Sequence, residues 1–551
     1  MSTVAKAVQY AVDVVDDKNV ACKWVRLACQ RFIDDLERDD YSFDQEKAQR
    51  ALDFFPDFIR HVKGALSGKP YELSDWESFI LVNIFGFVDS NGFRRYRTAY
   101  IEVARKNSKS TFCSGIALYL TAFDGEGGAE VYSAATTRDQ ARIVFGDAQN
   151  MIKKSAPLKK VFGVHKLNIH HMKSASKFEP LSSDAGTLDG LNIHGAILDE
   201  VHAHKTREVW DVVETATGSR LQSLVLAITT AGFNKQGIGY EQREYATKIL
   251  NGVSDDDTYF GIIYTLDEDD DPFDTEVWIK SNPNLGRSKQ LNDMRRLAKK
   301  AMEMPAARNN FLTKHLNLWV NAQTAWLDMQ KWDKLPNVDR QGLSDLDCYI
   351  GMDLANKLDV AAIVAAFPDG KKIHYLCKFY LPENQIYNKS RNIGTMYQTW
   401  ADQGYITLTD GDYIDHDYIE RDVRDWLDEF NVKSVGFDPW GSAQLAIKLM
   451  AEGAPMVEIP QTVKNLSESM KEIEAKVMGG ELVKDANPVM DWMASNVVVK
   501  LDKNENYFPN KEHPDNKIDG MVALFNAMNR ILVDDDSSGN FDDFISEPVK
   551  I

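Results

Sequence analysis

The first seventy residues carry apolar side chains at spacings of three and four, which is the period of an amphipathic helix. The pattern is clearest over residues 24–36 and 48–62, and it predicts an N-terminal helical segment. Beyond it, short apolar runs alternate with helical stretches. This alternation is typical of a mostly parallel sheet covered by helices. The predicted strands are residues 97–103, 129–134, 196–198, 224–229 and 258–265.

A second block of strands and helices begins near Tyr349. It opens with three consecutive strand-like runs joined by short links, which favour an antiparallel meander. These runs are residues 348–353, 360–367 and 373–380. The pattern then predicts helix, strand, helix, extended segment and helix at residues 415–430, 434–437, 442–450, 455–459 and 517–532. The order βββ-α-β-α-β-α predicts an RNase H-like layout.

Composition and charge narrow the class of protein. The formal net charge of -19 argues against a protein that coats nucleic acid, but not against a local grip on it. A basic stretch at residues 294–314 is either a solvated helix face or a phosphate-contacting surface. The five cysteines are scattered without zinc-site spacing, which predicts free thiols in a reducing cytoplasm. No apolar run reaches membrane-spanning length, so we expect no membrane association.

A phosphate-binding loop is predicted where the first buried strand leads into a helix, at ARKNSKST, residues 104–111. Such a loop needs bare backbone N–H groups at a helix N-terminus, a lysine near the phosphates and a hydroxyl group for Mg²⁺. Lys109 and Ser110 stand where the lysine and the hydroxyl belong. Both expected glycines are absent, and Ser108 replaces one of them. Taken alone, a basic turn without catalytic meaning explains the segment at least as well.

Two acids, Asp199 and Glu200, end a later hydrophobic strand in the segment GAILDE. Asp199 is expected to hold Mg²⁺ through water, and Glu200 to polarise the attacking water as general base. An extra strand at residues 129–134 lies between the two motifs, as expected for ATPases with an added strand and a catalytic glutamate. The next strand ends in TTAG, residues 229–232, whose hydroxyls could sense the γ-phosphate. The ordered set predicts an ATP site, although each member is weak alone.

Two features beside this predicted site stay open. An arginine should neutralise transition-state charge, and the sequence does not choose among the candidates Arg105, Arg138, Arg142 and Arg220. His202 and His204 follow Glu200 closely. They lack a third ligand, so a zinc site is only a minor alternative.

Three acids predict a second catalytic site in the C-terminal half of the chain. Asp353 and Asp438 each follow a buried strand, where an acid is costly unless it binds something. Asp519 begins the last helix, where capping is the competing explanation. An RNase H-like fold brings these three positions to a two-metal site, with the metal ions roughly 4 Å apart. The sequence leaves open Asp515 as the third ligand, Asp359 as a reserve, and Lys517 as a phosphate contact or a salt-bridge partner.

We therefore expect an α/β protein with a P-loop ATPase domain of the ASCE class, followed by an RNase H-like nuclease domain. Its length of 551 residues fits two large domains. The predicted boundaries are an N-terminal helical segment at 1–70, the ATPase domain at 71–255, a lid or linker at 256–340, the nuclease domain at 341–533 and an acidic flexible tail at 534–551.

With these motifs in this order, the chain resembles the large terminase subunits of tailed bacteriophages. The resemblance covers nearly the whole length and rests on ARKNSKST, GAILDEVHAH, AITTAG, SNPNLG, HLNLWV with AWLD, IGMDLANKLD, VGFDPWG and KIDGMVAL. It implies a motor in which ATP hydrolysis drives double-stranded viral DNA into the procapsid. It also implies a two-metal endonuclease that cuts the DNA concatemer.

The resemblance also implies roles for individual residues. The residues expected to bind nucleotide phosphates or Mg²⁺ are Arg105, Lys106, Asn107, Ser108, Lys109, Ser110, Thr111 and Asp199. Glu200 becomes the catalytic base, and Thr229 and Thr230 belong to the element that couples hydrolysis to movement. The nuclease residues, which together are expected to hold two Mg²⁺ or Mn²⁺ ions, are Asp353, Asp438 and Asp519.

Trp76 and Glu77 occupy the place of the family's adenine motif, which is usually an aromatic residue followed by glutamine. A glutamate can accept a hydrogen bond from the adenine amino group but cannot donate one.

The implied partners are viral double-stranded DNA, the portal protein of the procapsid, a small terminase subunit and further copies of the chain. The copies are expected to form a ring, usually a pentamer, in the host bacterial cytoplasm while docked on the procapsid. Two other readings compete with this one. The first is a DDE-type recombinase whose first half is a non-hydrolysing assembly domain, and the second is a capsid scaffold with degenerate sites.

Overall fold

A computed structural model describes residues 3–64, 66–135, 138–181, 190–204, 206–320, 326–354, 359–388, 391–502, 506–511 and 516–546. The chain divides into two compact units, Met1–Val320 and Asn321–Ile551. Asp515, the alternative third metal ligand, lies outside the described residues, and the side chain of Arg138 is not described either.

The first unit contains twelve described helices around an eight-stranded sheet. The helices are α1 (Thr3–Val15), α2 (Lys23–Asp35), α3 (Gln45–Phe58), α4 (Asp75–Gly86), α5 (Lys109–Ala122), α6 (Arg138–Lys154), α7 (Ala156–Val161), α8 (Glu208–Thr215), α9 (Ile238–Leu250), α10 (Trp278–Ser281), α11 (Leu291–Glu303) and α12 (Pro305–Leu316). The strands are β1 (Ser42–Phe43), β2 (Phe87–Val88), β3 (Thr98–Glu102), β4 (Glu130–Ala134), β5 (Phe162–Val164), β6 (Ile169–His171), β7 (Ser176–Pro180), β8 (Ile193–Asp199), β9 (Leu224–Thr229) and β10 (Tyr259–Ile263).

The large sheet has the strand order β10-β3-β9-β8-β4-β7-β6-β5, and β1 pairs with β2 in a separate ribbon. Strands β10 to β7 in this order pair in parallel, and the last two pairings are antiparallel. Strands β8, β9 and β10 are buried along their whole length, which explains why each reads as an apolar run. The sheet confirms the five predicted strands and adds three short ones, β5 to β7, that the sequence analysis missed.

Two predicted boundaries of the first half do not match the structure. Strand β10 pairs with β3, so residues 259–263 belong to the first sheet and not to a separate linker. Residues of the N-terminal helices, such as Phe32 and Phe55, pack into the same core as Ile101 and Phe112 of the sheet and α5. The following segment carries a small core of its own, around Trp278. Burial of apolar side chains, which sequence position does not reveal, sets these boundaries.

The second unit is built around a further sheet. Its helices are α13 (Met329–Asp333), α14 (Gln385–Asn388), α15 (Arg391–Asp402), α16 (His416–Glu429), α17 (Pro439–Ala451), α18 (Val463–Gly479), α19 (Pro488–Asn496) and α20 (Asp519–Ser546). Its strands are β11 (Asp347–Asp353), β12 (Ala361–Asp369), β13 (Lys372–Pro382), β14 (Thr407–Thr409), β15 (Asn431–Phe437), β16 (Met456–Glu458), β17 (Leu482–Val483), β18 (Val498–Leu501) and β19 (Tyr507–Asn510).

The main path of this sheet is β14-β13-β12-β11-β15-β16, and β17 pairs with β13. Strands β11, β12 and β13 form the predicted antiparallel meander. Strand β15 runs parallel to β11, with Met352 opposite Phe437, and β16 runs parallel to β15. The layout contains the predicted order, with α14, α15 and β14 inserted after β13, and with α18, β17, α19 and the ribbon β18–β19 inserted before the last helix.

Helix α20 lies directly on β11 because two glycines allow a close approach. A Cβ atom at Gly351 would overlap the carbonyl oxygen of Ala523 and crowd the amide of Ala527. On the neighbouring strand β15, a Cβ atom at Gly436 would meet the carbonyl oxygen of Asn526 at 3.2 Å. The Asn526 side-chain amide donates to the carbonyl of Met352 at 2.9 Å. These contacts fix the N-terminus of α20 relative to the ends of β11 and β15.

Helix α20 continues to Ser546, so residues 534–546 are helical where the sequence analysis expects a flexible tail. No proline interrupts this stretch, and a packed helix propagates at the cost of fixing one residue per added hydrogen bond. Residues 547–551 lie outside the described part. In the described part of the chain, no helix is both long and apolar enough to cross a bilayer. All five cysteines are buried free thiols.

Replacing Gly351 by alanine should push α20 away from β11. Overpacking of this kind costs about 1–3 kcal/mol, so we expect the amides of residues 519–532 to exchange with solvent roughly ten-fold faster or more. Hydrogen exchange followed by mass spectrometry measures this directly. The matched control is Gly479→Ala, where the added Cβ atom makes ordinary contacts at 3.5 Å. Equal protection of α20 in both variants would contradict the close-approach argument.

Candidate functional sites

The predicted phosphate loop and both predicted acids lie at one edge of the first sheet. Strands β3, β9 and β8 are neighbours, with Glu102 opposite Thr229 and Asp199 opposite Ile228. Their carboxyl ends therefore meet at the same edge, where ligands bind in parallel sheets. The edge combines the loop after β3, the TTAG segment after β9 and Glu200 after β8.

The phosphate loop keeps its shape without glycine. Lys106 and Ser108 adopt left-handed backbone conformations, with φ of 71° and 66°. A non-glycine residue in this conformation costs on the order of 1–3 kcal/mol unless its surroundings hold it there. Helix α5 begins at the next residue, Lys109, so its free N–H groups point toward the loop. The Lys109 ammonium donates to the carbonyl of Val103 at 3.0 Å and is buried.

A segment far along the chain holds the loop in this shape. The Asn107 side chain donates to the carbonyl of Ala104 at 3.0 Å and to Asn282 Oδ1 at 3.2 Å. In return, the backbone N–H of Asn284 donates to Asn107 Oδ1 at 3.0 Å. The hydroxyl of Ser288 donates to the carbonyl of Lys106 at 2.7 Å. The SNPN segment, residues 281–284, and Ser288 thus hold the loop by hydrogen bonds in a backbone shape that glycine would adopt without strain.

Lys289 is a residue of this site that the sequence analysis missed. It is 5% exposed, and its ammonium donates to the carbonyls of Arg105 at 3.2 Å and His315 at 3.4 Å. Burial, reinforced by the charge of Lys109, lowers the pKa of Lys289 to about 7. A buried lysine is costly without a nearby anion. Its position in a lysine- and arginine-rich region hid it from sequence reasoning.

The two acids at the end of β8 have opposite electrostatic environments. Burial and the neighbouring Glu200 charge raise the pKa of Asp199 to about 7, although Lys109 opposes the shift. Burial would also raise the pKa of Glu200, but Lys109 and His202 hold it well below its usual range. Glu200 is therefore ionised, as a general base requires. Asp199 Oδ1 is buried without a hydrogen-bond partner. Such an oxygen is suited to binding a group from outside the protein.

His202 is a second residue that the sequence analysis did not assign. Its Nδ1 lies 2.9 Å from Thr229 Oγ1 and 3.1 Å from Glu200 Oε2. The same carboxylate lies 3.3 Å from the Thr230 hydroxyl. His202 Nδ1 is therefore placed to orient the glutamate. The Thr229 hydroxyl is buried against His202, so Thr230 is the TTAG hydroxyl that contacts Glu200.

A buried polar network connects the TTAG segment to the base of the loop. Asn317, with φ of 60°, accepts from the Ala231 N–H at 2.6 Å and donates to Glu102 at 3.2 Å. Glu102 is fully buried and pairs with Arg243 at 2.6 Å. Trp319 also donates to Glu102, at 3.0 Å. This network gives TTAG a physical connection to the strand that carries the phosphate loop.

The remaining candidates beside the ATP site fare differently. Arg220 binds Glu126 and Asn192 at the amino-terminal ends of the strands, opposite the loop. Arg105 is exposed in the loop itself, and its charge contributes to the lowered pKa of Glu200.

Glu77 accepts hydrogen bonds from Tyr71 at 2.7 Å and from the Ser74 N–H at 2.8 Å, as part of a buried helix cap. Both Glu77 oxygens thus accept hydrogen bonds from the fold itself.

In the second unit, the sheet register brings two of the three predicted acids to one edge. Asp353 ends β11, and Asp438 follows β15, directly after the opposed residues Met352 and Phe437. Asp438 also caps α17 by accepting from the Trp440 N–H at 3.3 Å. Asp519 is the first residue of α20, the helix packed on β11.

Asp353 is influenced electrostatically by the other two carboxylates. Loss of hydration, then the charges of Asp519 and Asp438, raise the pKa of Asp353 well above its usual range. Burial and the charge of Asp359 raise the pKa of Asp519 to about 6, and its Oδ2 is buried without a partner. Clustered acids with raised pKa values are typical of metal sites. Among the described residues, no group of three His, Cys, Asp or Glu side chains stands close enough together to hold a metal ion.

The alternatives around this cluster are partly resolved. Lys517 forms an ion pair with Asp359, so the salt-bridge explanation holds for Lys517. Asp359 is thereby engaged and is a poorer metal ligand than the three acids. The charge of Lys511, which the sequence analysis did not single out, opposes the raised pKa values of both Asp353 and Asp519. Oxygen ligands of this kind suit Mg²⁺ and Mn²⁺.

Comparison with known proteins gives the family. The family model of the terminase large subunit ATPase domain matches residues 75–248, and that of the endonuclease domain matches residues 253–535. The terminase large subunit of Enterobacteria phage HK97 is 26% identical over 528 residues, which cover 92% of this chain and all of that protein. Protein YmfN of Escherichia coli K12 is 35% identical over 358 residues, 63% of this chain and 79% of that protein.

Among solved structures, the crystal structure of the HK97 large terminase aligns with 88% of this chain and 99% of its own, at 24% identity and a TM-score of 0.45. The two family models together span both halves of the chain, in the order of the two sites. The chain belongs to the terminase large subunit family, and it is an ATPase and endonuclease of viral DNA packaging.

Proposed function

We propose that ATP binds over residues 105–111 and that hydrolysis takes place between this loop and Glu200. The observation that carries the proposal is that the loop after β3 and the two acids that end β8 lie at one edge of the sheet, with Glu200 held by His202 and Thr230. Lys109, Ser110, Thr111 and the N–H groups of α5 would receive the phosphates. Glu200, held by His202 and Thr230, would take the proton of the attacking water.

Asp199 would hold Mg²⁺ through water, and its unpartnered oxygen supports that role. The ion would neutralise charge on the phosphates during hydrolysis. Arg105 is the arginine best placed to reach the same charge from within the chain. Lys106, Asn107 and Ser108 would contribute backbone N–H groups, since the Asn107 side chain is committed to Asn282 and the Arg105 N–H already donates to the carbonyl of Lys314 at 2.9 Å.

We propose that Asp353, Asp438 and Asp519 hold two Mg²⁺ or Mn²⁺ ions and cut the DNA concatemer. The shared edge of Asp353 and Asp438 and the effect of the Asp438 and Asp519 charges on Asp353 support this assignment. Two ions held there would stabilise the attacking and leaving oxygens of the scissile phosphate. The DDE-type recombinase reading has no support, because the ATPase family model covers the half that it treats as non-hydrolysing.

The partners follow from the family and remain proposals for this chain. Terminase large subunits act on DNA at the portal. We propose that this chain works with a small terminase subunit, as a ring of five copies docked on the procapsid, in the host bacterial cytoplasm.

Replacement of Glu200 by glutamine should remove the general base while keeping its hydrogen-bonding shape. We expect the kcat of ATP hydrolysis to fall about 10²- to 10⁴-fold, with nucleotide affinity and Mn²⁺-dependent DNA cleavage little changed. A coupled phosphate-release assay measures kcat, and Glu208→Gln, an exposed position nearby, is the control. ATPase activity of Glu200→Gln close to that of the parent would rule out this assignment.

Replacement of Asp438 by asparagine should stop plasmid cleavage in Mn²⁺ while ATP hydrolysis continues. Asparagine still caps α17, so the loss would report the missing charge and not a frayed helix. Asp415→Asn is a matched control, because Asp415 caps α16 in the same unit by accepting from the Asp417 N–H at 3.0 Å. Loss of both activities in Asp438→Asn would contradict two separate sites.

Binding of ATP should be accompanied by proton uptake at pH 8. The pKa of Lys289 is lowered to about 7, so this amine is mostly neutral at pH 8, and nearby phosphates should raise its pKa and protonate it. Asp199, with a pKa of about 7, is already ionised at pH 8 and contributes little. Calorimetry in buffers of different ionisation enthalpy measures the uptake.

We expect up to about one proton per nucleotide at pH 8 and less uptake by Lys289 at pH 6, where the amine is already protonated. Lys289→Met should abolish the uptake at pH 8, and the exposed Lys300→Met should not. The lowered pKa of Lys289 also makes the stability of the protein depend on pH. Because folding lowers this pKa, the protein without nucleotide gains stability as pH rises from about 7 toward 10.5. Unchanged uptake in Lys289→Met would place the titrating group elsewhere.

A further inference from the structure

Trp440 is exposed to a degree that no other tryptophan of the chain approaches. Its exposed fraction is 87%, whereas the other ten tryptophans, all within the described residues, are buried or half-buried. An indole is the side chain that gains most from leaving water against a flat partner. Its full exposure therefore needs an explanation at this position.

The position is the edge of the proposed nuclease site. Trp440 lies two residues after Asp438, in the first turn of α17. Its backbone N–H donates to the Asp438 carboxylate at 3.3 Å. Pro439 stands between them as the first residue of the helix, where its fixed φ stiffens the turn. The backbone of Trp440 is thus held beside the Asp438 carboxylate, and the N-terminus of α17 presents its positive end to the same edge.

The chemistry of the substrate narrows what the indole can meet. A phosphodiester at the carboxylates has a deoxyribose and a base attached on each side. The base offers a flat aromatic face, and stacking on an aromatic side chain is independent of sequence because every base has one. In an intact duplex those faces are covered by neighbouring bases. An indole beside the scissile phosphate can therefore reach a base only if the DNA is locally unstacked.

We propose that Trp440 stacks on a nucleobase of the strand being cut, next to the scissile phosphate, so that the nuclease selects locally unstacked DNA. The inference rests on the proposed placement of the metal site at Asp353, Asp438 and Asp519. Trp440 acts in substrate binding and specificity, not in the chemistry of the cut. Unstacking a base costs least at a mismatch, which gives the preference a measurable form.

The same face of α17 continues with two exposed apolar side chains, Ile447 at 67% and Met450 at 44%. A protein partner could cover such a stripe. It would depend on Ile447 as much as on Trp440, because the two lie one above the other on the helix. DNA stacking requires only the residue at the carboxylate edge. Ile447 is therefore the matched control that separates the two occupants.

The experiment measures binding of the full chain to fluorescently labelled duplexes, fully paired or with one central mismatch, in Ca²⁺ in place of Mg²⁺. The variants are Trp440→Ala, Trp440→Phe and Ile447→Ala. We expect the parent to bind the mismatched duplex more tightly than the paired one. Trp440→Ala should lose about ten-fold in affinity for the mismatched duplex. Trp440→Phe should retain part of the preference, and Ile447→Ala all of it.

Acrylamide quenching of tryptophan fluorescence provides a second readout that needs no cleavage. The difference between the parent and Trp440→Phe isolates the indole, which should be quenched readily in free protein and become shielded with mismatched DNA. An indole that stays accessible with DNA bound, or an equal loss of affinity in Ile447→Ala, would overturn the proposal. Shielding without DNA that rises with protein concentration would also overturn it, and would assign the face to self-association.

Cleavage in Mn²⁺ tests the proposed metal site separately from the proposed role of Trp440. If Asp438→Asn stops cleavage but Trp440→Ala binds both duplexes as the parent does, the metal site stands and the stacking role fails. If Asp438→Asn still cuts, the placement of the metal site fails, and the inference about Trp440 fails with it.

Discussion

Both sites depend on the same physical constraint, the cost of carboxylates placed at the ends of buried strands. A carboxylate that loses its hydration must find a cation, accept a proton or destabilise the fold. For Asp199 the rise in pKa from 3.8 to about 7 corresponds to roughly 4 kcal/mol against the charged form. Asp353 and Asp519 show the same direction of shift. A divalent cation bound at either sheet edge would remove this cost and would thereby couple metal binding to folding.

Cationic side chains at the nucleotide site show the complementary constraint. Lys109 and Lys289 are buried close together and donate to backbone carbonyls of the loop region. The two ammonium groups repel each other and attract phosphate. The Asn107, Asn282 and Asn284 hydrogen bonds hold the loop together with these two lysines. A bound nucleotide would add negative charge beside them.

Much of this arrangement could be predicted from the sequence, because buried parallel strands read as apolar runs and the acids proposed as catalytic directly follow them. The runs before Glu200, Asp353 and Asp438 are clear for this reason. Strands β5 to β7 were missed because they are short and contain polar residues, as in the segments IHH and SKFEP. Periodicity carries little information at that length.

Contacts between distant segments could not be predicted. Asn107 and Asn282 lie 175 residues apart, and neither segment carries a sequence pattern that predicts its contact with the other. The burial of Lys289 and the committed oxygens of Glu77 likewise follow from tertiary packing. The glycine-free loop looked weak in sequence for the same reason, since its support comes from the SNPN segment. Whether a motif functions is thus decided by partners that local sequence does not show.

The most direct test of the central claim is to count bound Mn²⁺ by electron paramagnetic resonance on the full chain without nucleotide. Buried carboxylates that require cations should hold two Mn²⁺ ions per chain, and their spectra should show the spin coupling of ions roughly 4 Å apart. Asp353→Asn should lose both the coupling and at least one ion. A parent protein that binds no Mn²⁺, or binds ions without coupling and equally well in Asp353→Asn, would contradict the account.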